Sequence, residues 1–346
     1  MAEKFSLLRK LSVNPAQQST RGTSSFDGVA DLPTAITQYT TDWVNLIVAP
    51  DSAAGTIEQI TVHDNTGSTK TTRGATAVEQ RTQQWVLNVS FEDWSPEILN
   101  EIVPSWIGQD AGTGTYPDLT TVPAAGVCVP VLDTSEAPYF EWMWDDTNQT
   151  YFGWGNAENF EMNGSHEGKV SGSFTVKLLG VSKTTIGDVA GSAPSAVSVT
   201  WASTPTAAGN QIMSWGSVTS VSIGGVSFVA AKLWNFSVSM TQALFPHHDA
   251  GDTGLYPNNI LLGNTIESSF SGTFSADQSD IDAIVGTTGT GCSITVGGIT
   301  FTCEDALVET GAPGTADDQA VVAFSAKGFY AEGSSSGFLM VASGLT

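Results

Sequence analysis

Apolar and polar residues alternate with period two through most of this chain, most plainly in a segment that occurs twice, SVSIGGVSF at residues 220–228 and SITVGGITF at residues 293–301. In each copy a Gly-Gly pair, free to take φ > 0, separates two short alternating runs, which predicts a two-residue β-hairpin. That turn sets the register. Val296 should face Ile299 and Ile294 should face Phe301 on an apolar side, with Thr295 opposite Thr300 and Ser293 opposite Thr302 on the other. The first copy predicts the same with Val221, Ile223, Val226 and Phe228 inward and Ser222 and Ser227 outward. A sheet with one buried face needs a second layer, so the pattern predicts a sandwich or barrel.

The same alternation predicts strands at residues 43–48, 56–62, 85–91, 139–144, 151–154, 157–162 and 170–179. In the second half it predicts strands at 197–201, 211–215, 233–240, 268–274, 321–326 and 337–341. Two stretches have helical spacing instead. At 95–103, Ser95 is placed as N-cap and Pro96 at the first helical position, with Ile98, Leu99, Ile102 and Val103 as a stripe that Pro104 ends; a shorter helix is expected at 279–285. The polar run from His63 to Gln83 reads as one long loop carrying Lys70, Arg73 and Arg81. Residues 1–23 read as a flexible basic arm, with Phe5, Leu8 and Leu11 able to share one side of a short helix and Lys4, Arg9 and Lys10 around it. Such a segment is either disordered or docked on a neighbouring subunit.

A chain of 346 residues exceeds the roughly 250–300 at which a single core stops growing, so two domains are expected. The Gly/Ser/Ala/Pro-rich stretch at 187–196 places the boundary, giving an arm at 1–23, a first β domain at 24–191 and a second at 192–346. Echoes between the halves point to duplication of a β unit: WVLNVSF at 85–91 with WNFSVSM at 234–240, and VSGSFT at 170–175 with FSGTFS at 270–275. The fold class is therefore all-β with minor α, two tandem sandwich-like or barrel-like domains each with a short helix.

Charge narrows the partners. Twelve Lys and Arg stand against 35 Asp and Glu, a formal net charge of −23, and such a body repels phosphate rather than binding nucleic acid. No apolar run approaches a membrane span, and the start MAEKFSLLRKLSV lacks the apolar core of a secretion signal, so a soluble protein made in a cytoplasm is expected. Three cysteines are too few for a disulfide framework. Cys292 and Cys303 fall opposite one another in the second hairpin, within bridging range, and without an export signal two reduced core thiols are the expected state.

The search for catalytic chemistry finds nothing with the required context. GSSSG at 333–337 matches the nucleophile-elbow pattern but precedes a predicted strand, not a helix. His247, His248, Asp249 and Asp252 have no ligand spacing of a metal site and read as a loop. Trp142, Trp144 and Trp154 beside Asp145 and Asp146 suggest a sugar platform, yet adjacent carboxylates in a turn do not straddle a glycosidic bond, and alternating Phe140, Trp142 and Trp144 read as core or subunit interface. No enzyme activity, cofactor or metal is expected.

Duplicated β units each with one helix, the long polar loop at 63–83, the basic N-terminal arm and the acidic, cysteine-poor composition together resemble the tail tube protein of long-tailed bacteriophages, in the form with two fused tube domains. The resemblance implies rings closed by sheet-to-sheet pairing, here a trimer with pseudo-six-fold symmetry, stacked into a tube in the virion tail after assembly in the bacterial host cytoplasm. It implies other tail proteins as partners and genome DNA passing through an acidic lumen without specific binding. It also makes Lys4, Arg9, Lys10, Lys70, Arg73 and Arg81 expected inter-subunit contacts. Residues 241–265 are the only counterpart in the second half to the long loop of the first. Another capsid or decoration protein, or a glycan-binding β-sandwich, are the alternatives.

Overall fold

The computed structural model describes residues 6–7, 10–18, 44–54, 58–64, 77–110, 127–130, 139–145, 150–183, 212–247, 259–275, 278–284, 291–303, 306–311, 313–316, 319–328 and 341–343. The first half contributes β1 (Ser6–Leu7), β2 (Lys10–Gln18), β3 (Val44–Leu46), β4 (Ala53–Ala54), β5 (Glu58–Asp64) and β6 (Ala77–Phe91). After helix α1 (Pro96–Ile107) come β7 (Gly108–Asp110), β8 (Val127–Pro130), β9 (Tyr139–Asp145), β10 (Thr150–Ser165) and β11 (Val170–Lys183). The second half adds β12 (Val218–Ile223), β13 (Val226–Val229), β14 (Leu233–His247), β15 (Asn259–Ser275) and helix α2 (Gln278–Ile284). It ends with β16 (Cys292–Val296), β17 (Ile299–Cys303), β18 (Ala306–Thr310), β19 (Gly314–Ala316), β20 (Gln319–Gly328) and β21 (Val341–Ser343).

Among the described residues these strands form two antiparallel sheets, so the chain is all-β with minor α. The larger runs β1-β4-β6-β11-β10-β14-β15-β20-β18, and the smaller runs β13-β12-β16-β17-β21-β8-β7. Both cross the boundary expected at residue 191. In the large sheet β10 pairs with β14 from Asn159↔Thr241 to Ser165↔Asn235, and in the small one β21 pairs with β8. The two halves thus share both sheets and one core; the linker at 187–196 lies outside the described residues.

The alternation in the sequence is the cause of the layering. Val170, Phe174, Val176 and Leu178 of β11 are buried while Ser171, Ser173, Thr175 and Lys177 face the other way, and β14 repeats this with Phe236, Val238 and Met240 against Asn235, Ser237 and Ser239. The small sheet and α1 cover the apolar face. Phe160 meets Phe301 at 6.2 Å and Phe274 meets Phe228 at 5.2 Å across the layers, while Trp106 of α1 stacks on Phe160 at 4.5 Å. Cross-strand glycines make room for the rings. Gly164 sits directly opposite Phe236, and a Cβ there would lie 2.4 Å from the Phe236 ring.

Both Gly-Gly hairpins form in the expected register, including Val296↔Ile299, Ile294↔Phe301 and Cys292↔Cys303. Their four turn glycines have φ between 58° and 88°, as a type I′ turn requires. Cys292 and Cys303 are free and buried.

Several expectations change. Residues 6–7 and 10–18 are strands, not helix or free arm: β2 lies between β9 and β3 and buries Leu11 and Val13, a gain that a short isolated helix cannot offer. The run from His63 to Gln83 is not all loop, since β5 and β6 pair from Glu58↔Gln84 to Asp64↔Ala77 and leave only 65–76 outside the described residues. Polar side chains do not prevent a ladder held by its backbone.

Helix α1 runs through Pro104 to Ile107, with Ser95 Oγ accepting from the Ile98 N–H at 3.4 Å as its N-cap. An interior proline costs about 3 kcal/mol. Burying Trp106 and Ile107 beyond it contributes about 6–9 kcal/mol of apolar transfer, from which the buried Trp106 N–H, without a partner among the described residues, subtracts about 1–3 kcal/mol. The strand expected at 197–201 lies outside the described residues, and at 212–217 only a bridge from Ser214 to Lys169 and a 3-10 turn at Trp215–Ser217 occur.

Candidate functional site

Since the apolar face of the large sheet is covered, its other face is the broad surface the fold leaves open. Alternation places small polar side chains there on consecutive strands: Asn88 of β6, Ser173 and Thr175 of β11, Asn159, Glu161 and Asn163 of β10, Asn235, Ser237, Ser239 and Thr241 of β14, and Ser269, Ser271 and Thr273 of β15. Hydrogen bonds knit them across strands. Ser239 and Ser269 hydroxyls lie 2.8 Å apart, Ser237 donates to Glu161 at 3.2 Å, and Thr175 donates to Asn88 at 3.2 Å. A groove of about 530 Å³ crosses this face over Ser171, Asn163, Ser237 and Ser271, with Lys169 at its edge. Lys169 pairs with Asp93, whose hydrogen bond and charge raise the ammonium pKa above its ordinary value. The surface is therefore hydroxyl- and amide-rich, with few net charges to hold a polyelectrolyte.

Two hairpin arms leave the sheet. The first is β5–β6 below Trp85, and the second is the far part of β14–β15, from Gln242↔Ile266 to His247↔Asn259. Register fixes where they emerge. Trp85 pairs with Leu178 and Leu178 with Gly155, while Thr241 pairs with Asn159, so both arms run toward the N-terminal end of β10, the same end of the sheet. The paired residues of this second arm fall within 241–265, the one candidate counterpart to the first loop, of which 248–258 lie outside the described residues.

The base of the second arm is pinned by buried polar groups. Beyond Asn159, β10 parts from β14 and pairs with β9 instead, opening a wedge in the sheet. Gln242, 3% exposed, fills it by donating Nε2 to the Ala157 carbonyl at 2.7 Å, and Lys177 Nζ donates to the Leu244 carbonyl at 3.1 Å while pairing with Glu158. Register shifts fall at the same place, between Ala157 and Asn159 and between Gln242 and Leu244. Past it, Phe245 is 57% exposed.

Of the basic residues expected at contacts, Lys10 is exposed on β2, in register with Asp145 of β9. Arg81 is the extra residue of a β-bulge in the first arm, opposite the Ile60–Thr61 step. Lys4, Arg9, Lys70 and Arg73 lie outside the described residues. The structure does not bring the two described ones together. Sequence reading passed over the hydroxyl face, although its signal was present as Ser, Thr and Asn at alternate positions, because a flat face emerges only once the five strands β6, β11, β10, β14 and β15 are placed side by side.

The sugar-platform arrangement does not form: Trp142 and Trp144 are fully buried, and Trp142 Nε1 donates to the Gly155 carbonyl at 3.3 Å. Among the described residues no group of three metal-type ligands occurs, and no helix is long and apolar enough to cross a membrane. The 333–337 motif and residues 248–252 lie outside the described residues. No protein-family model matches this chain, and no curated protein matches it.

Proposed function

We propose that this chain is a virion structural protein that assembles into stacked rings forming the tail tube of a long-tailed bacteriophage, a conduit for genome DNA. The observation that carries the reading is the perpendicular arrangement of sheet and arms. A sheet grows sideways by adding strands at its edges, whereas the two arms extend along the strands from one end. Sideways growth by rotation closes a ring, and arms along the strands reach the next layer, the two kinds of contact that a stacked tube needs. Three copies, each bringing two halves, close it with pseudo-six-fold symmetry.

The electrostatics suit that role. A chain of net charge −23 repels phosphate at range, and on a wall of hydroxyls and amides Lys169 and Lys177 are already paired with Asp93 and Glu158, so DNA meets few free cations and transit needs no repeated detachment. Electron microscopy of the purified protein, together with sedimentation velocity, tests the reading. Rings or tubes support it; a chain that stays monomeric at high concentration overturns it.

A further inference from the structure

Both ends of the large sheet's strand axis expose apolar side chains, and the two ends differ in shape. The end opposite the arms is assembled from the turn at 47–52, residues 92–95, the β10–β11 turn and residues 212–217. The Ala49 N–H donates to the Ser90 carbonyl at 2.9 Å, which sets the 47–52 turn beside the C-terminal end of β6. Trp94 Nε1 donates to the Ile47 carbonyl at 2.7 Å and the Met213 N–H to the Trp94 carbonyl at 2.8 Å, so Ile47, 40% exposed, and Ile212, 46% exposed, are both tied to Trp94. Half-buried Trp215 follows, its N–H donating to the Gly168 carbonyl at 3.0 Å, and the exposed His166 ring lies 6.2 Å from Trp215 and 5.4 Å from half-buried Trp234. Gathered at one end, these side chains form an apolar patch on a chain whose broad open face is built of hydroxyls and amides.

The arm end presents one aromatic knob. β14 keeps its alternation past Thr241, so Leu244 is buried while Phe245, 57% exposed, continues the hydroxyl face onto the second arm. A Cβ on Gly263 would lie 2.7 Å from the Phe245 ring, so the ring lies across Gly263, where no side chain competes, beside its cross-strand partner Leu261. A ring already held in place loses little freedom when its open side is covered.

We propose that Phe245 of one copy seats on the apolar end of a copy in the next layer, against Ile212 and Trp215. The inference deepens the stacked-ring reading above and rests on it. The occupant is a second copy for a reason of length. β10 separates the two ends and is 16 residues long, about 50 Å at ~3.3 Å per residue, so a chain's own arm cannot reach its own opposite end. A copy displaced along the strand axis in the same orientation brings the knob of one to the patch of the other. Contact between like ends would set Phe245 against Phe245 and leave the isoleucines and tryptophans uncovered. A contact between unlike ends that advances along an axis does not close, so it repeats into a filament, which is how layers become a tube. An aromatic anchor entering an apolar seat is the kind of contact that carries most of an interface's energy.

The test compares Phe245→Ser, Ile212→Ser and the double variant of the full chain with the parent, by electron microscopy and sedimentation. Each single change is expected to raise the concentration needed for tube growth about tenfold or more while single rings persist. The double variant should be within about twofold of the weaker single one, because both changes remove the same contact. Tubes that grow unchanged in either single variant, or a double loss equal to the product of the single losses, overturn the seat and leave the ring reading intact; a parent that forms neither rings nor tubes overturns both. Should a serine variant melt below the parent as a free chain, Phe245→Cys with Ile212→Cys decides. A short bis-maleimide added to its tubes should link chains covalently, with no such product from either single cysteine variant, and tubes without the product overturn the proposal.

Discussion

Val221 lies directly opposite Ile294, and these are corresponding residues of the two repeated hairpins. Their neighbours obey the same exchange: Ser220 faces Thr295 and Ser222 faces Ser293. The repeat is therefore arranged about a local two-fold axis between Val221 and Ile294, with the first strand of each copy at the centre and the second outside. That places four apolar residues from each copy on one wall, and it explains why both copies belong to the second half of the chain. They are the two halves of the small sheet's hairpin block, not markers of separate domains.

The turns of the two copies give the first prediction. All four glycines have positive φ, but a Cβ on Gly298 meets nothing within 4 Å, whereas one on Gly297 falls 3.2 Å from Pro96 and 3.3 Å from the Met213 sulfur. Asn tolerates this backbone region better than other residues with a side chain. Gly298→Asn is expected to cost under about 1 kcal/mol and Gly297→Asn at least about 1 kcal/mol more. Urea denaturation of both variants checks the order, and equal losses would contradict it.

Gly164 gives the second. Its Cβ would stand 2.4 Å from the Phe236 ring, so Gly164→Ala overpacks the large sheet and should cost about 1–3 kcal/mol. Shortening the ring with Phe236→Leu relieves the contact, so the double variant should be more stable than the sum of the single losses allows. A double-mutant cycle with no coupling beyond about 0.5 kcal/mol would show that the ring moves aside freely.

How much of this was legible depended on the range of the interaction. The hairpin register, Ser95 as N-cap and the Cys292–Cys303 pairing follow from residues a few positions apart, and all were read correctly. Pro104 misled because the burial of Trp106 and Ile107 beyond it outweighs a local cost, and Leu11 misled because a three-residue apolar period and a strand inside a sheet differ only in what they pack against. The pairing of β10 with β14 joins residues 70 to 82 positions apart and has no local signature, so the union of the halves in one sheet, and the flat face it creates, were not visible.

The first arm offers a third prediction, tied to assembly rather than folding. Arg81 sits at a bulge of that arm, and Lys70 and Arg73 lie between its strands in sequence, so the arm is a concentration of cations on an acidic chain. Replacing all three with Ser should leave the melting temperature within about 2 °C if their role is in assembly, since single ion pairs outside a core contribute little to stability. Assembly should weaken and lose its salt sensitivity, because attraction to a neighbour's carboxylates is what salt screens. Unchanged assembly and salt response, measured by sedimentation, would remove these residues from the contact.

Cys303 ties stability to pH with a defined sign. Burial pushes its thiol from an ordinary 9.0 up to about 12, opposed in part by its hydrogen bond to the Ser268 hydroxyl, 3.8 Å away. The folded chain then keeps this proton while the unfolded chain releases it above about pH 9. The stabilising contribution is complete below that pH and is lost as pH rises toward 12, at no more than about 1.4 kcal/mol per pH unit for one thiol. Cys303→Ala removes the titrating group and leaves a small cavity, so the variant starts less stable at pH 8. The gap between the two proteins should narrow steadily from pH 9 to pH 11, read as the difference in urea midpoint. A gap that stays constant over that range would mean that the thiol ionises equally in both states, and that the pocket formed by Cys303, Cys292 and Ser268 is open to water.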